Sequence, residues 1–94
     1  MQKAKTSKQL ERHFKGIANH RRIDILFLVK ENEGIILEAI AERLQGNFKT
    51  IAVHTQRLVQ AGLLNKTYQG REVAHSLSPY GHKLAAFIKT FSHS

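Results

Sequence analysis

The fold of this chain is decided by residues 40–51, IAERLQGNFKTI. Apolar residues at helical spacing run up to Leu44, and the short segment 46–48 interrupts them. The helical spacing resumes in residues 49–61, and Gly62 is placed to cap that helix. Two helices joined by a short turn that contains glycine are typical of a helix-turn-helix.

Two further helices are predicted before this pair. Thr6 and Gln9 have the spacing of a capping box at the start of the first helix. One apolar stripe of that helix is formed by Leu10, Phe14 and Ile17. Asn19 is placed to cap a second helix over residues 20–31, which is apolar around most of its circumference. Such a helix belongs in the middle of a fold.

The apolar spacing changes from helical to alternating after the fourth helix. The runs 63–68 and 72–77 flank a turn at Gln69-Gly70, and this pattern predicts a β-hairpin. Ser78-Pro79 then begins a last helix, with the serine as cap and the proline at the first helical position.

A chain of 94 residues is long enough for one domain. We expect a disordered basic N-terminus over residues 1–6 and one domain over residues 7–94. The predicted fold is mainly α with a small β-hairpin, in the order α-α-α-α-β-β-α of a winged helix-turn-helix.

Fifteen Lys and Arg residues against seven Asp and Glu give the chain a net charge of +8. A small folded domain with such an excess typically binds a polyanion, and nucleic acid is the commonest one. The alternative is a solubilising charge without a partner. A membrane-surface role is disfavoured, because the basic residues are scattered from Lys3 to Lys89.

Several classes of protein are disfavoured by composition. The absence of cysteine excludes disulfides and thiolate metal sites. The longest apolar run, residues 25–29, is far short of the ~20 residues of a membrane span, so we expect a cytoplasmic protein. Asp24 is the only aspartate, and the glycines stand singly rather than in a phosphate-binding loop, so no enzyme is predicted.

The fourth helix and the hairpin supply candidate contacts to double-stranded DNA. An α-helix fits the major groove, and a hairpin beside it can lie along the backbone or in the minor groove. With Ile51 and Leu58 turned inward, polar and basic side chains face outward, and the hairpin adds two cations. The candidate DNA-binding residues are Lys49, Thr50, Val53, His54, Gln56, Arg57, Lys66 and Arg71.

Several short motifs occur in the order that one protein family shows. They are FKGIANHRRIDIL (14–26), IAERL (40–44), His54, Leu58, AGL (61–63) and Gly70-Arg71. In this order, residues 14–77 resemble the ArsR-type (arsenic-repressor) winged-helix regulators. Residues 78–84, SPYGHKL, also resemble the start of the last helix in MarR- and PadR-type regulators. The resemblance implies a small dimeric transcription factor.

The same resemblance implies that the first and last helices form the dimer. Independently, these helices carry more apolar surface than one small core needs. The candidate interface residues are Leu10, Phe14, Leu84, Phe87, Ile88 and Phe91. Two-fold symmetry then predicts a pseudo-palindromic operator, with half-sites about 10 bp apart or a multiple of that distance.

The chain departs from the family pattern at functional positions. Metal-sensing members carry cysteines where this chain has Ile36 and Glu38, which excludes thiolate sensing. His82 and His93 have the separation of two histidines in a last-helix metal site of some relatives. Two imidazoles fall short of the four ligands that zinc prefers, so no metal or other cofactor is predicted. The family's recognition motif SxHL reads AVHT in residues 52–55, which removes polar groups that could read bases.

The leading hypothesis is therefore a transcriptional regulator that binds double-stranded DNA as a homodimer. One alternative is a winged-helix module for protein–protein interaction, which Ala52, Val53 and Thr55 favour. The other is a non-specific nucleic-acid-binding protein. The sequence identifies neither the operator nor an effector.

Overall fold

The computed structural model describes residues 3–93. Its elements are α1 (Ser7–Ile17), α2 (His20–Glu31), β1 (Ile35–Ile36), α3 (Leu37–Leu44), α4 (Phe48–Gln60), β2 (Leu64–Gln69), β3 (Glu72–Leu77) and α5 (Pro79–Ser92). Five helices with a small antiparallel sheet confirm the predicted winged helix-turn-helix. The predicted division into a disordered segment 1–6 and a domain 7–94 stays a prediction, since residues 1, 2 and 94 lie outside the described part.

The helix starts are fixed by the predicted caps. The backbone N–H of Thr6 donates to Gln9 Oε1 at 2.8 Å, and the N–H of Gln9 donates to Thr6 Oγ1 at 3.2 Å, which completes the capping box. Asn19 Oδ1 accepts from the N–H groups of Arg21 and Arg22 at the start of α2. Each cap satisfies backbone donors that have no partner inside the helix.

The sheet has one strand more than the predicted hairpin. β1 pairs antiparallel with β3, with Ile35 opposite His75, so that β3 lies between β1 and β2. Two residues before β1, Glu33 Oε2 accepts a hydrogen bond from the N–H of Leu77 at 3.1 Å. A strand of two residues leaves no alternation in the sequence, so the apolar pattern could not predict it.

The turn between α3 and α4 contains a glycine at a position where a side chain has no room. Gln45, not Gly46, adopts the left-handed backbone conformation, with φ of 52°. A Cβ at Gly46 would lie 2.7 Å from Cγ1 of Ile51. The glycine therefore allows the turn to pass close to the buried side of α4.

The core is centred on α2, as predicted for a helix with apolar residues on most sides. Ile25, Leu26 and Val29 are fully buried and pack in one cluster with Ile51 and Leu58 of α4. Burial of a side chain of this size contributes about 1.5–3 kcal/mol. This packing fixes the rotation of α4 about its axis, and thereby decides which of its residues face outward.

Candidate nucleic-acid interface

The outer face of α4 carries most of the residues predicted to contact DNA. The helix begins at Asn47, whose side chain accepts from the N–H of Thr50 at 3.2 Å. Its inner face is formed by Ile51, Thr55 and Leu58, which are all buried. Lys49, Thr50, Val53, Gln56 and Arg57 are exposed, and His54 is half-buried.

The wing formed by β2 and β3 carries the other two predicted residues. Gly70 takes a left-handed conformation with φ of 64°, which allows the tight turn between Gln69 and Glu72. Arg71 follows it at the tip and is exposed, as is Lys66 on β2. The Lys66 ammonium lies 5.5 Å from the ring centroid of the exposed Tyr68.

This part of the chain is basic without any acidic residue to offset it. No Asp or Glu occurs between Glu42 and Glu72, a segment that includes all of α4 and the tip of the wing. The basic residues in it are Arg43, Lys49, Arg57, Lys66 and Arg71. We call the exposed side of α4 together with the wing residues Lys66 and Arg71 the basic face. Its potential favours an anionic partner.

His54 is linked to a residue that the sequence did not single out. The Arg22 Nε–H at the start of α2 donates to Nδ1 of His54 at 3.1 Å. Burial, and then the positive charge of Arg22, hold the pKa of His54 below its ordinary value of 6.5. His54 therefore presents a neutral ring near neutral pH, with Nδ1 already occupied by Arg22. No local signal in the sequence joins residues 22 and 54.

Within the AVHT segment, one of the three residues that favour a protein partner belongs to the core. Thr55 is buried, and its hydroxyl donates to the carbonyl of Ile51 at 2.8 Å within the same helix. It therefore belongs to the core and cannot contact a partner. Of the three residues that favoured a protein partner, only the exposed Val53 and the half-buried Ala52 lie at the surface of α4.

A second exposed surface lies between α1 and α5. The two helices form an open groove of about 840 Å³ with an apolar floor that includes Leu10, Phe14, Leu84 and Phe87. We call it the apolar groove. Phe14 is 50% exposed and Phe87 57% exposed. Among the other predicted interface residues, Ile88 is half-buried and Phe91 is exposed.

The edge of the apolar groove is polar. The Lys5 ammonium lies 4.0 Å from the ring centroid of Tyr80, and the Tyr80 ring lies 5.1 Å from the ring of His13. The His13 Nδ1 is 2.7 Å from the carbonyl oxygen of Ala61, which ties α1 to the end of α4.

The two histidines considered for a metal site are not brought into a ligand cluster. The Nε2 of His82 lies 3.3 Å from Oε1 of Glu33, and His93 follows the last turn of α5. Within residues 3–93, the structure has no group of three or more His, Asp or Glu side chains that could hold a metal ion.

Solved structures of known proteins share this fold. A possible transcriptional regulatory protein from Mycobacterium bovis has a TM-score of 0.84 and 26% identity, over 99% of this chain and 100% of that chain. The solution structure of a homodimeric winged helix-turn-helix DNA-binding domain from the same organism, a possible ArsR-family transcriptional regulator, has a TM-score of 0.83 and 25% identity. The match covers 99% of this chain and 91% of that chain. HlyU from Vibrio cholerae has a TM-score of 0.78 and 24% identity, over 97% of this chain and 96% of that chain.

These similarities confirm the resemblance to ArsR-type winged-helix regulators at the level of the whole fold. No protein-family model matches the chain, and the curated proteins contain no match to it. The two Mycobacterium bovis neighbours are described as a possible transcriptional regulatory protein and as a DNA-binding domain, and none of the three named neighbours is described as an enzyme. None of the helices in residues 3–93 has the length and apolar character that a membrane crossing requires.

Proposed function

We propose that this chain is a transcriptional regulator that binds double-stranded DNA as a homodimer on a pseudo-palindromic operator. In this proposal α4 enters the major groove, and the wing lies on the backbone or in the minor groove. The observation that carries the proposal is the basic face, in which a recognition helix fixed by its buried side exposes cations and has no carboxylate from residue 43 to residue 71.

The side chains of the basic face divide by the contacts that their chemistry allows. Lys49, Arg57, Lys66 and Arg71 are the phosphate-binding cations, and the arginines can also pair with guanine. The remaining residues would contact bases or backbone from the outer side of α4, and they are Thr50, Val53, His54 and Gln56. The methyl groups of Val53 can contact only apolar groups such as the thymine methyl. Hydrogen-bonding readout by these remaining residues therefore depends on Thr50, His54 and Gln56, and the arginines can add contacts to guanine.

The apolar groove is proposed as the surface that joins two copies. Phe14 and Phe87 expose about half of their area to water in a single copy, and burying such rings would stabilise a dimer. A two-fold contact uses the same surface of both copies, so it needs one self-complementary face. A fold neighbour of this chain is itself described as homodimeric.

The test begins with a selection of genomic fragments by the purified protein. Binding of the selected duplex is then measured by fluorescence anisotropy between 50 and 300 mM salt, at about 1 μM dimer. Phosphate contacts predict an affinity that falls steeply and linearly on a double-logarithmic plot, by about 0.9 per phosphate neutralised. A flat dependence, or no binding at low salt, would overturn the proposal.

The same measurements separate the two alternatives. Equal affinity for the selected duplex and a scrambled duplex of the same length indicates a non-specific nucleic-acid-binding protein. If a partner protein binds through Val53 and Ala52 and the chain binds no duplex, the chain is an interaction module. Sedimentation of the free protein tests the dimer. A protein that is a monomer at about 100 μM would contradict the homodimer and the pseudo-palindromic operator that its symmetry implies.

A further inference from the structure

A second cluster of cations lies beside α4, and only one of its members belongs to the predicted site. It lines a cleft of about 380 Å³ between the end of α1, the start of α2 and the C-terminal half of α4. Its cationic side chains are Arg12, Lys15, Arg22 and Arg57, and the cleft has no acidic residue in its lining. We call this feature the cationic cleft.

The walls of the cleft are held together by close contacts. Gly16 lies directly against Ala61, because a Cβ at Gly16 would overlap the Ala61 Cβ, so α1 and α4 approach as closely as their backbones allow. The Arg12 Nε–H donates to the carbonyl of Gln60 at 2.9 Å. A terminal nitrogen of Arg22 donates to the carbonyl of Gly16 at 3.3 Å. Two of the four cations are thereby fixed in position by the backbone.

Within the described residues, three of the four charges of the cleft have no acidic partner. The partners of Arg12 and Arg22 are carbonyl oxygens and the ring of His54, which carry no negative charge. Lys15 forms an exposed ion pair with Glu11, at 3.4 Å between Nζ and Oε1. Within residues 3–93, the Arg57 guanidinium makes no hydrogen bond or ion pair. Four positive charges that face one cleft repel each other, and an anion bound between them relieves that repulsion.

We propose that the cationic cleft binds one backbone phosphate of the duplex, at the edge of the major groove that α4 enters. Arg57 belongs both to the outer face of α4 and to the cleft, so the cleft continues the basic face without a gap. A phosphodiester fits the donor set, because guanidinium groups bind phosphate oxygens through paired N–H donors. The inference rests on the proposed function, and it adds α1 and the start of α2 to the surface that contacts DNA.

The test uses Lys15→Gln and Arg12→Gln in the full chain, with Lys89→Gln as matched control. Lys89 is an exposed lysine in the last turn of α5 and does not line the cleft. Anisotropy against the selected duplex gives the salt dependence of each protein. Loss of one phosphate contact makes the slope shallower by about 0.9, which corresponds to about eightfold weaker binding at 0.1 M salt. Thermal melting by circular dichroism identifies any variant that fails to fold. If Arg12→Gln fails to fold, Arg12→Lys is the folded control that should keep the wild-type slope, and Lys15→Gln, at an exposed lysine, carries the test.

A second measurement locates the phosphate. Single phosphates of the duplex are replaced in turn by neutral methylphosphonates. The wild-type protein and Lys89→Gln lose affinity most at one position, and at that position Lys15→Gln and Arg12→Gln lose less. Cleft variants that keep the wild-type slope and the wild-type methylphosphonate profile overturn the inference while leaving the proposed function intact. A wild-type protein without steep salt dependence overturns the proposed function itself.

A third measurement distinguishes the duplex from a free anion as the source of the phosphate. Inorganic phosphate is titrated into the free protein, and the amide resonances of Gly16 and Ala61 are followed by NMR. Saturation at low millimolar phosphate, combined with duplex binding that does not compete with it, would show a site for a free anion and overturn the inference. Displacement of inorganic phosphate by the duplex supports it.

Discussion

The apolar groove and the basic face are both exposed, but they differ in what would cover them. The groove between α1 and α5 exposes Phe14 and Phe87, while the basic face exposes Lys49, Arg57 and Arg71. Exposed aromatic rings are stabilised by burial against another apolar surface, whereas uncompensated cations are stabilised by an anion. One small domain thus has two exposed surfaces of different chemistry, and the net charge of +8 describes only one of them.

The largest effect on duplex affinity is expected when charge is reversed on the basic face. This change distinguishes the two surfaces, because it leaves the apolar groove unaltered. In the double variant Arg57→Glu, Arg71→Glu, two cations that we propose as phosphate contacts become anions. We expect affinity for the selected duplex to fall by about 100-fold or more, because each such contact contributes roughly 1–3 kcal/mol. Anisotropy at 100 mM salt measures the affinity. Sedimentation of the same variant should give an unchanged dimer, and unchanged duplex binding would contradict the assignment of this face.

A smaller effect is expected from the apolar groove. Phe87→Ala removes a ring that is 57% exposed in the single copy, and we expect the dimer dissociation constant to rise by about tenfold. Analytical ultracentrifugation over a concentration series measures it. Tyr68→Ala is the matched control, since Tyr68 is 68% exposed on the wing and lies outside the groove. Equal effects of the two substitutions would refute the groove as the dimer contact.

Acid should lower the free energy of unfolding through two histidines, one on α4 and one on β3. Burial holds the pKa of His75 on β3 below its ordinary value of 6.5, and the charge of Lys66 lowers it further. His54 on α4 shifts in the same direction. The unfolded chain therefore binds these protons more tightly than the folded chain. The free energy of unfolding is fully retained above about pH 6.5 and declines as the pH falls towards the lowered folded-state pKa values.

Urea unfolding at pH 7.5 and pH 5.5 measures this loss. Within the described residues, Nδ1 of His75 is a buried atom without a hydrogen-bond partner, and burial disfavours the charge that protonation of the ring adds. His75→Gln should reduce the difference in unfolding free energy between the two pH values. An undiminished difference in that variant would show that other groups cause the acid sensitivity.

The smallest effect is expected at the polar edge of the apolar groove. Lys5→Ala removes the ammonium that lies 4.0 Å from the centroid of the Tyr80 ring. An exposed contact of this kind is worth about 0.5–1 kcal/mol, so the free energy of unfolding should fall by no more than that. Urea denaturation measures it, and Lys8→Ala on the exposed side of α1 is the control. A loss above 2 kcal/mol would mean that the N-terminal segment has a larger role in holding α1 to α5.

The helices could be predicted from the sequence because their signals are local. Thr6, Asn19 and Ser78 each cap a helix through side-chain oxygens that bond N–H groups two or three residues ahead, as their spacing predicts. The rotation of α4 could be predicted in the same way, because Ile51 and Leu58 alone specify its buried side. The outward position of the candidate DNA contacts follows from that rotation, while their contact with DNA stays a prediction.

The features that the sequence did not predict arise from residues far apart in the chain. β1 exists because Ile35 meets His75, and the cationic cleft exists because Arg12 meets Gln60 and Arg22 meets His54. Nothing in the local pattern of these residues marks the contact. The buried position of Ala74 has a similar cause, since β3 is covered by strands on both edges and by α2 and α3, so a strict alternation of inner and outer residues fails there.

The close approach of Gly16 to Ala61 has a mechanical consequence. α1 borders the apolar groove and also contacts α4 at this point, so it connects the proposed dimer surface to the proposed DNA-binding helix. When two copies associate through their grooves, the angle between them sets the span between their two α4 helices. The tolerated separation of the half-sites is then governed by the stiffness of one helix contact. A methyl group added at residue 16 would overlap the Ala61 Cβ and push α1 away from α4, which changes that separation.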